Sequence, residues 1–383
     1  MPAKWKEVKF ASEFTLSSGL ALGRHEEAAG RFPVFGGNGL SGLASRPLTQ
    51  KPTFVVGRVG EYCGSVHMVQ EPAWVTDNAL WARSISPGWD LGYLVHYLQW
   101  YDLGRFRSRT GQPLVIQGEL GKLRVRKPPI GEQRRIAQIL DTLDRWISNA
   151  GIVTEKLDKI AEGLTASEFH RIGKGSAPTV RLSSVASVNS GVTLGTETGG
   201  AIAIPYLRVA NVQDGFIDTT EMKTVRVGRA DVRRYLLQAG DVLLTEGGDF
   251  DKLGRGAVWD GRINPCICQN HVFRVRCDQS QVIPGYLAAY AASAAGKRYF
   301  LSIAKQTTNL ATINSTQLKA MPLPVPSLAV QQALVAVLES HKLRITAETA
   351  RRDQLRLLKQ GLMEDLLSGR VRVSEAEAVV EGL

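Results

Sequence analysis

Lys127-Pro128-Pro129-Ile130-Gly131-Glu132-Gln133-Arg134-Arg135-Ile136 leads into a long amphipathic segment, and Pro322-Leu323-Pro324-Val325-Pro326-Ser327-Leu328-Ala329-Val330-Gln331-Gln332 leads into a second. Proline ends the preceding structure and pre-sets φ for a first helical turn, so both stretches read as helix starts. The segments then run in step at a fixed offset of 198 residues (331 less 133). Gln133 falls on Gln331, Ile136 on Leu334, Leu140 on Leu338, Ile147 on Ile345, Leu157 on Leu355, Ile160 on Leu358, and Gly163-Leu164 on Gly361-Leu362. Two unrelated amphipathic helices would share some apolar positions. An ungapped lead-in and a shared Gly-Leu point instead to duplication.

From Ile136 the residues Leu140, Leu143, Ile147, Ala150, Leu157, Ala161 and Leu164 recur at steps near three and four, the seam of a helix built to pair. The spacing predicts helices over about 130–172 and 327–368, the first on the order of 60 Å long. The second carries the same stripe through Leu334, Leu338, Ile345, Leu355, Leu358, Leu362 and Leu366, interrupted by His341, Glu348 and Arg352. Helices longer than a single core requires, repeated in sequence, are expected to pack on each other.

The intervening segments also correspond. Strands fit 53–60 and 78–82 in the first and 241–245 and 271–275 in the second, and each is followed by a helix opening Gly-Tyr-Leu, at Gly92 and at Gly285. The expected order is a globular domain (1–127), a helix (128–172), a second globular domain (173–325), a second helix (326–370) and a short tail (371–383). Composition agrees with such a chain. It has 383 residues, 44% hydrophobic and 22% charged, with a formal charge of +11 and a pI near 9.6. A polyanionic partner fits that excess. No stretch approaches the roughly 20 apolar residues of a membrane span, and no apolar signal core follows Met1-Pro2-Ala3-Lys4-Trp5-Lys6. Four cysteines, Cys63, Cys266, Cys268 and Cys277, are too few for a disulfide framework, so a reducing, cytoplasmic setting is expected.

The proline-rich lead-in, the Glu-Gln-Arg-Arg-Ile helix start and the terminal helix Leu357-Leu358-Lys359-Gln360-Gly361-Leu362-Met363-Glu364-Asp365-Leu366-Leu367-Ser368-Gly369-Arg370-Val371-Arg372-Val373 together resemble the specificity subunit of type I restriction-modification enzymes. The likeness runs over nearly the whole chain, with Val330 departing from Glu132 in the second copy. It implies an α+β fold. Two similar globular α/β target-recognition domains would be separated by two long helices forming an antiparallel coiled coil, as a pseudo-twofold internal repeat. It further implies a non-catalytic chain that reads a bipartite, asymmetric site in double-stranded DNA. The implied partners are two modification (methyltransferase) subunits and restriction (motor-nuclease) subunits, which would carry S-adenosylmethionine, ATP and magnesium. No membrane, no cofactor and no metal are implied for this chain. The rival reading is a coiled-coil scaffold joining two protein-binding domains, its charge incidental; sequence-specific DNA binding separates the two.

DNA-reading surfaces need cations for phosphates and amides, carboxylates or hydroxyls for base edges. In the first domain the candidates are Asn38, within glycine-rich Gly36-Gly37-Asn38-Gly39-Leu40-Ser41-Gly42, then Arg58, and the cluster Arg105, Arg107, Arg109, Thr110 and Gln112 after the Gly92 helix. In the second they are Glu246, Lys252 and Arg255 in the long turn after a strand, Asn270, and Lys305, Gln306, Thr307, Thr308 and Asn309. This last group is the positional counterpart of the arginine cluster. Loop geometry alone would also explain the glycine-rich stretch, and a solvated hairpin the turn after residue 245.

Catalytic patterns are poorly matched. Phe35-Gly36-Gly37-Asn38-Gly39 fits the Phe-x-Gly-x-Gly of adenine methyltransferases, but the one Pro-Pro, Lys127-Pro128-Pro129-Ile130, lacks the Asn/Asp and the aromatic that hold a target amine. Asp214 with Glu221-Met222-Lys223 is a loose echo of nuclease ligands in a polar loop. No phosphate-binding Gly-x-x-x-x-Gly-Lys-Ser/Thr loop occurs. Cys266-Ile267-Cys268 lacks zinc-site spacing and reads as buried cysteine.

Overall fold

The computed structural model of the chain describes residues 5–23, 30–108, 113–193, 202–248, 253–306 and 311–382. Its principal helices are α1 (Leu91–Tyr101), α2 (Ile130–Lys174), α3 (Pro284–Ala292), α4 (Leu328–Ser368) and α5 (Val373–Glu381). The chain divides into two compact units, Met1–Ile152 with Glu348–Leu383, and Val153–Ala347. Both long helices therefore run through both units.

In unit 1 the strands are β1 (Lys6–Lys9), β2 (Phe14–Ser18), β3 (Phe32–Gly36), β4 (Gly39–Ala44), β5 (Thr53–Gly57), β6 (Val66–Val69), β7 (Trp74–Val75), β8 (Ala79–Ile85) and β9 (Arg124–Lys127). An antiparallel sheet runs β2-β8-β5-β6, a smaller one β4-β3-β7 with β3 and β7 parallel, and β1 pairs β9. Every residue of β5 is buried. Phe54 and Val56 pack with Tyr93, Leu94 and Leu98 of α1, while Val55 packs on the other face with Val69, Ala73 and Val75. A strand covered on both faces shows an unbroken apolar run instead of alternation.

The long helices meet in unit 1 as the seam predicts. Ile136, Leu140 and Leu143 of α2 are fully buried in one cluster with Leu355, Leu362 and Leu366 of α4. Lys359 Nζ donates to both oxygens of Asp144 at 2.6 Å, and Arg126, just before α2, donates to the Ser368 carbonyl at the end of α4. The pairing is antiparallel. Residues 373–381 form α5, with Val373 and Ala376 buried in the same cluster and Glu377 bonded by Arg135.

Unit 2 repeats the plan with β10 (Thr179–Arg181), β11 (Ala186–Ser190), β12 (Ile202–Leu207), β13 (Lys223–Val227), β14 (Val242–Thr245), β15 (Gly247–Gly248), β16 (Gly256–Val258), β17 (Ile267–Cys268), β18 (Val272–Cys277), β19 (Lys305–Gln306), β20 (Ala311–Thr312) and β21 (Pro322–Pro324). The sheet orders β11-β18-β14-β16, β13-β12-β17 and β10-β21 match those of unit 1, down to a parallel β12/β17 pair where β3/β7 is parallel. A short β15-β20-β19 sheet is added. Phe169 and Ile172 of α2 share a core with Tyr286 and Tyr290 of α3 and Leu334 of α4.

The recurring Gly-Tyr-Leu has a packing reason. A Cβ on Gly92 would lie 3.1 Å from Ala137 Cβ, and one on Gly285 3.0 Å from Val335 Cγ1, so glycine lets the short helix close on the long one. The tyrosine hydroxyls then reach the strand that leads into it, Tyr93 donating to Arg126 O at 3.1 Å and Tyr286 to Pro324 O at 2.7 Å. The shared glutamines complete the joint. Gln133, wholly buried, accepts from Asp90 N–H (2.8 Å) and donates to Gly88 O (3.0 Å) and Pro128 O (2.8 Å). Gln331, equally buried, accepts from Ile283 N–H (2.9 Å) and donates to Gln281 O (2.8 Å) and Pro326 O (2.9 Å).

Two local expectations change. The 36–42 stretch is a tight hairpin: Gly36 ends β3, Gly37-Asn38 make the turn, and Gly39, at φ 87°, opens β4. The strand expected over 53–60 ends at Gly57, because Arg58 takes its backbone bonds from Asn78 and Val115 outside the ladder. Where Glu132 accepts the Trp5 indole N–H at 3.1 Å, Val330 packs against the apolar core of unit 2.

Glu13, at the foot of β2, accepts from Lys127 Nζ (2.8 Å) and from Trp89 Nε1 (2.8 Å), and the lysine above all holds its carboxyl below the usual range. Its folded-state affinity for protons is thus depressed, so the stability it contributes is present above the ordinary carboxylate pKa, near 4.5, and lost as pH falls through the folded value. Lys127→Met should accordingly flatten the acid limb of a stability profile from urea titrations between pH 3 and 6. An unchanged acid limb would remove Glu13 from that account.

Candidate nucleic-acid interface

Each four-stranded sheet is fastened at one end. In unit 1 Gln133 grips the segment after β8 and Lys127 the residue before β2; in unit 2 Gln331 grips the segment after β18. The opposite end carries loops and turns. There, in unit 1, stand the end of β2 at Ser18, the end of β5 at Gly57 and the start of β8 at Ala79.

Four of the candidate residues of unit 1 come together on this free end. Asn38 is exposed in the β3–β4 turn, whose Gly37 carbonyl accepts from the Ser65 hydroxyl; His67 Nε2 lies 3.2 Å from the same hydroxyl. Arg58, half-buried, donates to Ser18 Oγ at 3.0 Å. Arg105 and Arg107 are both exposed, Arg105 lying 4.9 Å over the Tyr101 ring. They are tied to Arg58 through the backbone, since Val59 bridges Leu114, Arg107 bridges Val115, and Gly64 abuts Gly104. Arg109, Thr110 and Gln112 lie outside the described residues.

In unit 2 the free end gathers Glu246, Asn270 and Lys305. Glu246 N–H donates to His271 O (3.0 Å) and its carboxylate lies 2.6 Å from His271 Nδ1. Asn270 N–H donates to Val192 O (2.9 Å). Exposed Lys305 and its neighbour Gln306 form β19, which pairs β20, and β20 pairs β15 beside Glu246. Arg255 is half-buried: its carbonyl accepts from Thr245 N–H (2.9 Å), and its buried Nε has no partner among the described residues. Arg255 is therefore placed less as a free cation than its position in a turn suggested. Lys252, Thr307, Thr308 and Asn309 lie outside the described residues. The sequence reading missed Ser18, Ser65 and His67, and it gave His271 no carboxylate partner. Isolated serines and histidines in or beside strands carry no pattern; only pairing across the sheet brings them to the rim.

Groups suited to metals or nucleophilic chemistry are differently occupied. Among the described residues His96, Asp141 and Asp144 bring ligand-type atoms within 4.8 Å of one another, yet Asp141 bonds His96 (2.8 Å) and Asp144 already holds the Lys359 ammonium. Cys266 and Cys268 are buried without a disulfide, and burial pushes both thiols up to about 12, far from thiolate at neutral pH. Glu221 is paired with Arg208 at 3.2 Å. Among the described residues no helix is long and apolar enough to cross a membrane.

Two sheet modules of one topology, each locked by the same glutamine joint to its own long helix and each presenting polar loops at the far end, define a duplicated recognition scaffold. The sequence matches the type I restriction modification DNA specificity domain over residues 2–159 and 177–357, and the chain belongs to this family. It is 26% identical over 168 residues to a protein of Methanocaldococcus jannaschii named as the specificity subunit of the type I restriction enzyme MjaX, a match covering 44% of this chain and 40% of that one. It is 32% identical over 113 residues to the EcoprrI specificity subunit of Escherichia coli, covering 30% and 28%. These matches thus span less than half the length of either relative. The fold resembles the S subunit of a type I restriction-modification system from M. genitalium, with a TM-score of 0.63 at 16% identity over 95% of this chain and 96% of that one.

Proposed function

We propose that this chain is the DNA-specificity subunit of a type I restriction-modification complex, residues 1–127 and 173–325 each reading one half of a bipartite, asymmetric site. One observation carries the reading: two modules share strand order and helix joint, while the side chains on their free ends differ. Equal frames with unequal tips suit one task performed on two different sequences. The chain itself is non-catalytic in this reading. Methyl transfer with S-adenosylmethionine, and cleavage with ATP and magnesium, fall to modification and restriction subunits docked on the helical regions.

Co-expression with the neighbouring modification subunit, followed by single-molecule mapping of methylated adenines in host DNA, tests the reading. A single split motif is expected. No motif, from a modification subunit active with another specificity subunit, would leave a protein-binding scaffold as the better account. Arg105 and Arg107 are assigned to phosphates. Replacing both by alanine should weaken DNA binding without changing the motif and lower the slope of log K against log salt by about 1–2, at roughly 0.9 per phosphate contact. An altered motif would place them on bases instead.

A further inference from the structure

One position on the free end has the same backbone partners in both units. Arg58 N–H donates to Asn78 O (2.9 Å), its carbonyl accepts from Val115 N–H (2.9 Å), and the preceding Gly57 donates to Ser65 O (2.8 Å). Glu246 N–H donates to His271 O (3.0 Å), its carbonyl accepts from Ile313 N–H (2.9 Å), and the preceding Thr245 donates to Arg255 O (2.9 Å). Each follows the matching inner strand of its sheet, β5 or β14. Arg58 and Glu246 are therefore the same site in two copies, with opposite charge.

The charge reversal needs a reason on a surface that faces phosphates. A carboxylate there is repelled by the DNA field and gains only from a donor close by. Base edges offer such a donor in the exocyclic N4 amine of cytosine, the usual target of Glu, just as guanine O6 and N7 are the usual targets of Arg. Glu246 is also held in one orientation. His271, with more than half its side chain exposed, lies 2.6 Å from one carboxylate oxygen and, among the described residues, the other takes no hydrogen bond and is left for a ligand. A side chain already fixed loses less entropy when it engages a base.

We propose that this shared position reads one G·C pair in each half-site, Arg58 through guanine and Glu246 through the cytosine amine, with His271 as the residue that positions Glu246. The inference rests on the proposed reading of DNA by both modules.

The test maps methylated adenines in the co-expressed complex carrying Glu246→Gln, His271→Ala, both together, or Arg58→Gln. Competition binding to duplexes substituted at each base pair supplies the discrimination where methylation is too slow to map. Glu246→Gln should lower discrimination at one G·C pair of one half-site by about 5- to 150-fold and leave the other half-site intact. His271→Ala should relax the same pair, with no further loss in the double variant. Arg58→Gln should relax a single G·C pair of the other half-site. Variants of native melting temperature with an unchanged motif would overturn the proposal while the two-module reading stood. Relaxation at several positions at once would also overturn it, marking Glu246–His271 as a structural pair. A wild-type complex without any split motif removes the underlying reading, and this assignment with it.

Discussion

Gln133→Leu should destabilise unit 1 by about 3–5 kcal/mol, and Gln331→Leu should cost unit 2 a similar amount. Leucine fills much of the same volume, so the loss is polar. In each unit the amide satisfies one backbone N–H and two backbone carbonyls, at 2.8–3.0 Å, from a position with no solvent exposure. Each group left behind forfeits a hydrogen bond that buried water is poorly placed to replace, at about 1–3 kcal/mol apiece. Glutamate is expected to be worse than leucine. It retains the acceptor for Asp90 or Ile283 but turns its other carboxylate oxygen toward two carbonyls, a buried charge with a single backbone N–H to offset it. Urea titration of the full chain measures the difference. Tryptophan emission separates the units, since Trp5, Trp74, Trp81, Trp89, Trp100 and Trp146 lie in unit 1 and Trp259 alone in unit 2. A cost below about 1 kcal/mol, the net worth of a single ordinary hydrogen bond, would show that the joint relaxes and that the duplication at these glutamines is not energetic.

What the sequence discloses and what it withholds follow from the range of the interactions. The long helices were legible to within about two residues because their apolar positions recur at a local period and proline marks each start: 130–172 was expected against Ile130–Lys174 found, and 327–368 against Leu328–Ser368. The Gly-Tyr-Leu repeat was legible too, although its cause, a helix seated on Ala137 or Val335, was not. Strand order resisted. Nothing local in Thr53–Gly57 says that it lies between β8 and β6, and the glycine-rich 36–42 stretch reads as a loop until its pairing with β3 is known. The rim was hardest to read. Arg58 and Glu246 carry opposite charges and become equivalent only through backbone hydrogen bonds that no residue pattern encodes.

The same truncation at matched positions of the repeat should have unequal effects. Leu140→Ala is expected to cost unit 1 about 3–4 kcal/mol, and its counterpart Leu338→Ala to cost unit 2 about 1–2 kcal/mol. Leu140 is fully buried, in a cluster where α1, α2, α4 and α5 all contribute side chains, so truncation leaves a cavity that rigid neighbours cannot close. Leu338 is only half-buried at the margin of its core. Water refills the space beside it, and only part of the transfer free energy is forfeited. The asymmetry has a structural source. α5 packs Val373 and Ala376 into the core of unit 1, and the repeat supplies no second copy of that helix, because the chain that follows α2 turns into β10 of unit 2. Deleting residues 373–383 should therefore bring the cost of Leu140→Ala down toward that of Leu338→Ala, as read by the tryptophans of unit 1. Equal costs in the full-length chain would mean that α5 adds no rigidity to the seam and that the two halves of the coiled coil are energetically alike.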